Sequence, residues 1–229
     1  RRHLELGAEL GLLDPRRASV IRSGIELDRF RRAGPAARAR RALALPEDAP
    51  LVLQVGNFKP QKAPLDFVRM AARVGLRCPA ALFVMAGDGP LRARAEAEAR
   101  RLGVADRFRF PGWFEEIPEL LVAATVSVLT SRHEGLPRAV VESLAAGVPV
   151  VATAVDGTVE VVRPGVNGFL APAGDVRGLA AAVASVVGDE DLRRRLACRC
   201  AEGLDEFDIA EMVRRQEELY RCLACRSGS

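Results

Sequence analysis

Short apolar runs of β character recur along this chain, and segments of helical periodicity fill the intervals between them. The runs are Ala18–Ile21, Leu51–Val55, Ala81–Ala86, Arg107–Phe110, Thr125–Leu129 and Val148–Ala152. The helical segments are Pro35–Leu43, Pro64–Leu76, Pro90–Leu102, Ile117–Ala124 and Pro137–Ala146. A parallel strand pair needs a long crossover, and a helix supplies it, so this alternation implies a parallel sheet. The runs beginning at Leu51 and Val148 are apolar on successive residues, not alternate ones, as in strands covered on both faces. The predicted class is α/β, a doubly wound, Rossmann-like parallel sheet. Ligands of such sheets bind beyond the carboxyl ends of the strands. Gly56, Gly87, Gly112, Ser131 and Thr153 each follow an apolar run, which places one site along that edge.

The 229 residues suffice for one large domain, or one domain with an appendage. With 49% apolar and 28% charged residues the composition is globular. The net charge of +4 is dispersed: the densest clusters, Arg38–Arg41 and Arg193–Arg195, lie beside helical patterns and read as solvated faces. No nucleic-acid partner is expected. A mildly basic surface suits peripheral contact with an anionic membrane or a diphosphate-linked substrate. No apolar run approaches the ~18 to 20 residues that span a bilayer, and no signal peptide is visible. The chain starts at Arg1 without an initiator methionine and is expected to be a piece of a longer protein. Five cysteines, an odd number without regular spacing, indicate a reducing compartment. Cys198, Cys200, Cys222 and Cys225 fall on helical segments and read as incidental thiols, so no metal site is expected.

The densest chemistry lies in residues 131–151. Glu134 precedes a helix that opens near Pro137, where a missing N–H is harmless, and stops at Gly147. Glu142 lies about a turn and a half inside that helix. A helix N-terminus suits an anion, usually phosphate. Carboxylates on either side of it would accept hydrogen bonds from hydroxyls, so a sugar at one end and a ribose at the other fit.

At these residues the chain resembles the retaining glycosyltransferases of the GT-B fold, glycosyltransferase family 4 and its relatives. The glutamate pair Glu134…Glu142, the segment Gly147-Val-Pro149-Val-Val and the loop Asp156-Gly157-Thr-Val-Glu160 carry the resemblance. It extends over most of the chain: the segment from Val20 to Phe30, the strand and loop from Leu51 to Lys62, the turn Gly87-Asp-Gly89-Pro90, the stretch Phe110-Pro-Gly112-Trp113, and Asn167-Gly168-Phe169-Leu170. The implied division is an end of the N-terminal domain or linker helix at 1–17, a nucleotide-sugar-binding domain at 18–206, and a helix at 207–229 returning towards an N-terminal domain outside this chain. Residues 1–17 read as one amphipathic helix ended by Asp14-Pro15, and the chain after Asp175 reads as helical to about Tyr220.

The resemblance implies a role for each matching residue. Gly56, Asn57 and Lys62 form the diphosphate loop, with Lys62 as the charge on the phosphates. Gly87 and Gly89 line the next turn. Gly112 and Trp113 border the base, Trp113 being equally readable as a core or interface aromatic. Gly135, Leu136, Pro137 and Arg138 cradle sugar and β-phosphate by their backbone. Glu142 accepts the ribose hydroxyls, and Glu134 holds the transferred sugar at the reacting carbon as the catalytic carboxylate. Two positions depart from the family: Asn57 stands for an arginine, and Ala63 for a glycine. Arg92 occupies the third glycine position of a dinucleotide fingerprint, which argues against NAD.

The expected activity is hexosyl transfer from a nucleotide-diphosphate sugar with retention, this chain supplying the donor half and being weakly active or inactive alone. The base is open between UDP, GDP and ADP. A sugar, lipid-linked or small-molecule acceptor would be held by the N-terminal domain, without metal or other cofactor. The expected location is cytoplasmic, within reach of the inner face of the membrane. The alternatives are a GT-B epimerase or hydrolase, and a non-catalytic nucleotide-sugar-binding module, the latter motivated by Asn57.

Overall fold

A computed structural model describes residues 2–227. Asp28–Glu202 form one compact unit, and the residues up to Leu27 gather with those from Gly203 onward into a second. The strands are β1 (Leu51–Val55), β2 (Leu82–Ala86), β3 (Phe108–Gly112), β4 (Val126–Leu129), β5 (Val150–Thr153) and β6 (Gly168–Ala171). The described α-helices are α1 (Arg2–Glu9), α2 (Leu27–Arg31), α3 (Ala36–Ala42), α4 (Pro64–Arg77), α5 (Arg92–Arg101), α6 (Ile117–Val122), α7 (Arg138–Ala145), α8 (Thr158–Val161), α9 (Val176–Gly188), α10 (Glu190–Ala197) and α11 (Ile209–Ser227).

The strands form one sheet in the order β3-β2-β1-β4-β5-β6, parallel throughout. This is the doubly wound Rossmann order, and its direction of winding reverses between β1 and β4. Every residue of β4 and β5 is buried, as expected of central strands covered on both faces. Beneath the sheet, α4 packs against both α5 and α9. Its buried Phe67, Val68, Met70, Ala71 and Val74 recur at helical spacing and form one apolar face. The rings of Phe83 and Phe108 stack at 5.3 Å, and Phe67 meets both edge-on. Burial of each such ring stabilises the fold by roughly 1.5–3 kcal/mol.

Two strand expectations are corrected. Ala18–Ile21 is not a strand: the β-type pairing nearby is a single bridge between Ile25 and Asp208, within the smaller unit. Conversely, Gly168–Ala171, absent from the expected strand runs, is β6 at the sheet edge, with only its two end residues buried. An ideal Cβ on Gly168 would lie 1.9 Å from the Val150 carbonyl oxygen, so close strand approach demands glycine there. Residues 1–17 do not form one helix. α1 stops at Glu9, Gly11 takes φ +66°, and Asp14 accepts a hydrogen bond from Arg16 N–H to cap a 3-10 turn at Pro15–Arg17. The helical C-terminal stretch is broken between α10 and α11, where a 3-10 turn spans Asp205–Phe207.

Candidate functional site

The connections after β1 and β4 lead away on opposite sides of the reversal point, leaving a crevice between them. Glu134, 6% exposed, stands in it. Lys62 Nζ lies 2.5 Å from Glu134 Oε1, and Ser131 Oγ donates to the same oxygen at 2.6 Å. Further bonds join the two loops: Arg132 N–H donates to the Gln61 carbonyl at 2.7 Å, Gln61 Nε2 to the His133 carbonyl at 2.9 Å, and Thr130 Oγ1 lies 2.8 Å from the Lys62 carbonyl oxygen. His133 itself is exposed. On the other side, the Glu134 N–H donates to Asp156 Oδ2 at 2.9 Å.

Two helices begin at this crevice, α4 after Ala63 and α7 after Pro137, and neither first turn receives a side-chain cap. Each start is a positive dipole end that suits an anion, although α4 opens on Pro64, which has no N–H, and carries Asp66 in its own first turn. Pro137 is the residue before α7 rather than its first residue. The helix ends as expected: Gly147 takes φ +76°, with bonds from Gly147 N–H to the Leu144 carbonyl and from Val148 N–H to the Ser143 carbonyl.

Glu142, on α7, has a side chain only 16% exposed and 3.8 Å from Arg138 Nε. Burial pushes its pKa above the ordinary carboxylate value, while the charges of Arg138 and Arg29 pull the other way. Arg29, on α2, was not singled out in the sequence; nothing local to its segment signals proximity to Glu142.

The glycines gather at the edge of the sheet. Gly56 N–H donates to the Ala86 carbonyl and Gly87 N–H to the Gly112 carbonyl, so three strand ends are tied in a row. A Cβ on Gly87 would lie 2.2 Å from Gly56 O, and one on Gly89 would lie 2.9 Å from Phe58 N. Close packing of the two loops therefore demands glycine at 87 and 89. Asn57 is half-buried beside Gly56. Ala63 holds φ 45° and ψ 54°, left-handed values that explain why a glycine serves well there. Trp113 is 76% exposed, which removes the core reading of that residue. Gly135 and Arg138 are exposed and Leu136 half-buried, on the open side of the loop. Among the described residues no group of three or more histidine, cysteine, aspartate or glutamate side chains is gathered to hold a metal.

Residues 36–200 match the family described as glycosyl transferases group 1. The chain is 38% identical over 165 residues to the lipopolysaccharide core biosynthesis glycosyltransferase LpsE of Rhizobium meliloti, covering 72% of this chain and 47% of that protein. It is 34% identical over 218 residues to the D-inositol 3-phosphate glycosyltransferase of Streptomyces scabiei, covering 90% of this chain and 49% of that protein. The chain thus spans about half the length of the curated relatives it matches. The fold superposes on Anabaena HepE, solved in complex with UDP and glucose, with a TM-score of 0.85 at 23% identity, over 96% of this chain and 60% of that one. The parallel sheet is that of the C-terminal half of a GT-B glycosyltransferase, and the chain belongs to the glycosyl transferases group 1 family.

Proposed function

We propose that this chain is the donor-binding half of a retaining glycosyltransferase, in the manner of glycosyltransferase family 4. It takes a nucleotide-diphosphate sugar and passes the hexose to an acceptor held by a second domain. The observation that carries this reading is the Lys62–Glu134 pair at the winding reversal, flanked by the two uncapped helix starts. A cation and two positive dipole ends suit a diphosphate, and the adjoining carboxylate suits the hydroxyls of a sugar attached to it. The relatives are named glycosyltransferases, and HepE was solved with UDP and glucose, which supports the same ligand class.

In this account Lys62 and the α4 and α7 N-termini hold the diphosphate, Glu134 the sugar and Glu142 the two ribose hydroxyls. Gly112 and the exposed Trp113 border the base. The bond between the anomeric carbon and the phosphate oxygen breaks, and the acceptor oxygen bonds to that carbon on the same face. The acceptor proton passes to the departing diphosphate. The protein's contribution is positioning and stabilisation of leaving-group charge. Lys62 and the helix N-termini supply the charge that a divalent metal would otherwise provide, so no cofactor is required.

A thermal-shift series with UDP, GDP, ADP and their sugar conjugates tests the donor-site reading. A ligand at one hundred times its Kd stabilises by about 2.7 kcal/mol, or roughly 5–10 °C in a chain of this size. One nucleotide family should produce that shift. Identical melting with every conjugate at millimolar concentration would count against a donor site. Retention is tested in the longer protein by the anomeric configuration of the product, read by NMR.

A further inference from the structure

We propose that Asp156 is a positioning residue for Glu134, and that it sets how strongly the site reads the transferred sugar. The proposal rests on the assignment of Glu134 to that sugar. Asp156 lies in the turn after β5 and is one of three non-glycine residues with positive φ among those described, at +36°. Left-handed backbone is unfavourable for an L residue and persists where the surroundings over-determine it. Aspartate is tolerated there when its side chain is hydrogen-bonded. Here the side chain reaches 22 residues back in the chain, to accept the Glu134 N–H at 2.9 Å.

This bond is the middle of three contacts between the two segments, two of them hydrogen bonds. Thr153 Oγ1 donates to the Ser131 carbonyl at 2.6 Å, also across 22 residues. Gly157 lies so close to the Gly135 carbonyl that an ideal Cβ would stand 1.9 Å from its oxygen. The turn after β5 thus tracks the loop after β4 residue by residue: 153 on 131, 156 on 134, 157 on 135. Glu134 is held from two sides, its peptide by Asp156 and its carboxylate by Lys62 and Ser131.

The two holds differ in kind. Lys62 is a flexible point charge, and an arriving diphosphate competes for it. Ser131 and Asp156 remain when that happens. The Asp156 bond fixes the peptide plane from which the Glu134 side chain departs. Its loss lets the peptide turn and takes the carboxylate off the sugar, while the diphosphate contacts of Lys62 and the helix starts stay in place.

Three substitutions separate the bond from the strain. Asp156→Gly removes the acceptor and relieves the backbone. Asp156→Ala removes the acceptor and keeps the strain. Asp156→Asn keeps an acceptor oxygen and a residue that accepts left-handed backbone. Affinities for the bare nucleoside diphosphate and for its sugar conjugate are measured by calorimetry on each variant. A positioning role predicts bare-nucleotide affinity within about twofold of wild type throughout, because neither Lys62 nor the helix starts, which hold the diphosphate, bond to Asp156. The ratio of conjugate to bare-nucleotide affinity should fall about tenfold in the glycine and alanine variants and recover in the asparagine variant. Amide hydrogen exchange at Glu134 gives a readout independent of any ligand: slow in wild type and Asp156→Asn, fast in the other two.

Equal weakening of both ligands would overturn the proposal in favour of general loop damage. So would an unchanged ratio, or slow Glu134 exchange in Asp156→Gly. A wild type that binds no nucleotide overturns the donor-site reading and with it the sugar-reading half of the proposal. Glu134 exchange still decides whether Asp156 holds the loop.

Discussion

Lys62 Nζ and Glu134 Oε1 lie 2.5 Å apart although 72 residues separate them, because β1 and β4 are neighbours in the sheet and not in the chain. The Glu134 side chain is 5% exposed and that of Lys62 22%. The carboxylate is therefore withdrawn from water and depends on Lys62 and Ser131 for its partners.

Removing the lysine leaves that charge buried. Lys62→Met should destabilise the chain by roughly 1–3 kcal/mol, because an orphaned buried acceptor forfeits its solvation. Combining it with Glu134→Gln should recover part of the loss, a coupling read by urea denaturation of both single variants and the double. Strict additivity would mean the pair is held apart in solution.

Glu142 predicts opposite pH trends for stability and binding. Its folded pKa is raised, chiefly by burial, so the folded chain binds this proton more tightly than the unfolded one. The contribution to stability is fully present below the unfolded pKa and is lost as pH rises through the folded value. Nucleotide affinity should run the other way, falling as pH drops through that same raised pKa, because the ribose hydroxyls need an ionised acceptor. Glu142→Gln should flatten both profiles. It should change stability at neutral pH by less than about 1 kcal/mol, since the Arg138 partner is 59% exposed and contributes little. It should weaken nucleotide binding roughly tenfold or more. Parallel pH profiles of melting and affinity in both proteins provide the check.

Backbone geometry makes two contrasting demands. Ala63→Gly relieves a left-handed alanine at φ 45° and should stabilise by up to about 1 kcal/mol, the relief being partly offset by glycine's greater freedom when unfolded. Gly87→Ala meets the Gly56 carbonyl oxygen at 2.2 Å and should cost about 2–4 kcal/mol. Urea midpoints measured together separate the two, and a neutral Gly87→Ala would show that the β1 and β2 loops are not packed as described.

Trp113 is the single tryptophan and is 76% exposed. Its emission should be that of a wet indole in the free protein and should change on nucleotide binding. Trp113→Ala should leave stability within about 0.5 kcal/mol of wild type while weakening nucleotide binding severalfold. Emission indifferent to a nucleotide that binds by calorimetry would remove Trp113 from the base site.

Four of the six strands were legible because largely apolar runs betray burial on both faces, and β3 because Phe108 and Phe110 flank Arg109 in strand-like alternation. β6 was not, since a four-residue edge strand opening with Gly168 carries neither a long run nor an alternation. Ala18–Ile21 misled for the converse reason: β-prone residues do not make a strand without a neighbour to pair with. In the site, Glu134 and Glu142 stood out by their spacing within one strand–loop–helix segment, and Lys62 through the family resemblance. Asp156 was legible as the start of a loop that carries the family resemblance, but its hold on Glu134 was not, and neither was the proximity of Arg29 to Glu142, because both lie in contacts across the fold, the Asp156 bond spanning 22 residues. The glycines at 87 and 89 were legible as a motif, yet loop packing accounts for them physically.

The most direct test of the account is a calorimetric titration of the protein with UDP, GDP and ADP, repeated on Lys62→Met and Glu142→Gln. The account predicts that one nucleotide binds with micromolar Kd, about −8 kcal/mol, and that each substitution weakens it at least tenfold while the fold survives. Binding that is unchanged in both variants would place the nucleotide elsewhere and contradict a donor site at the β1–β4 crevice.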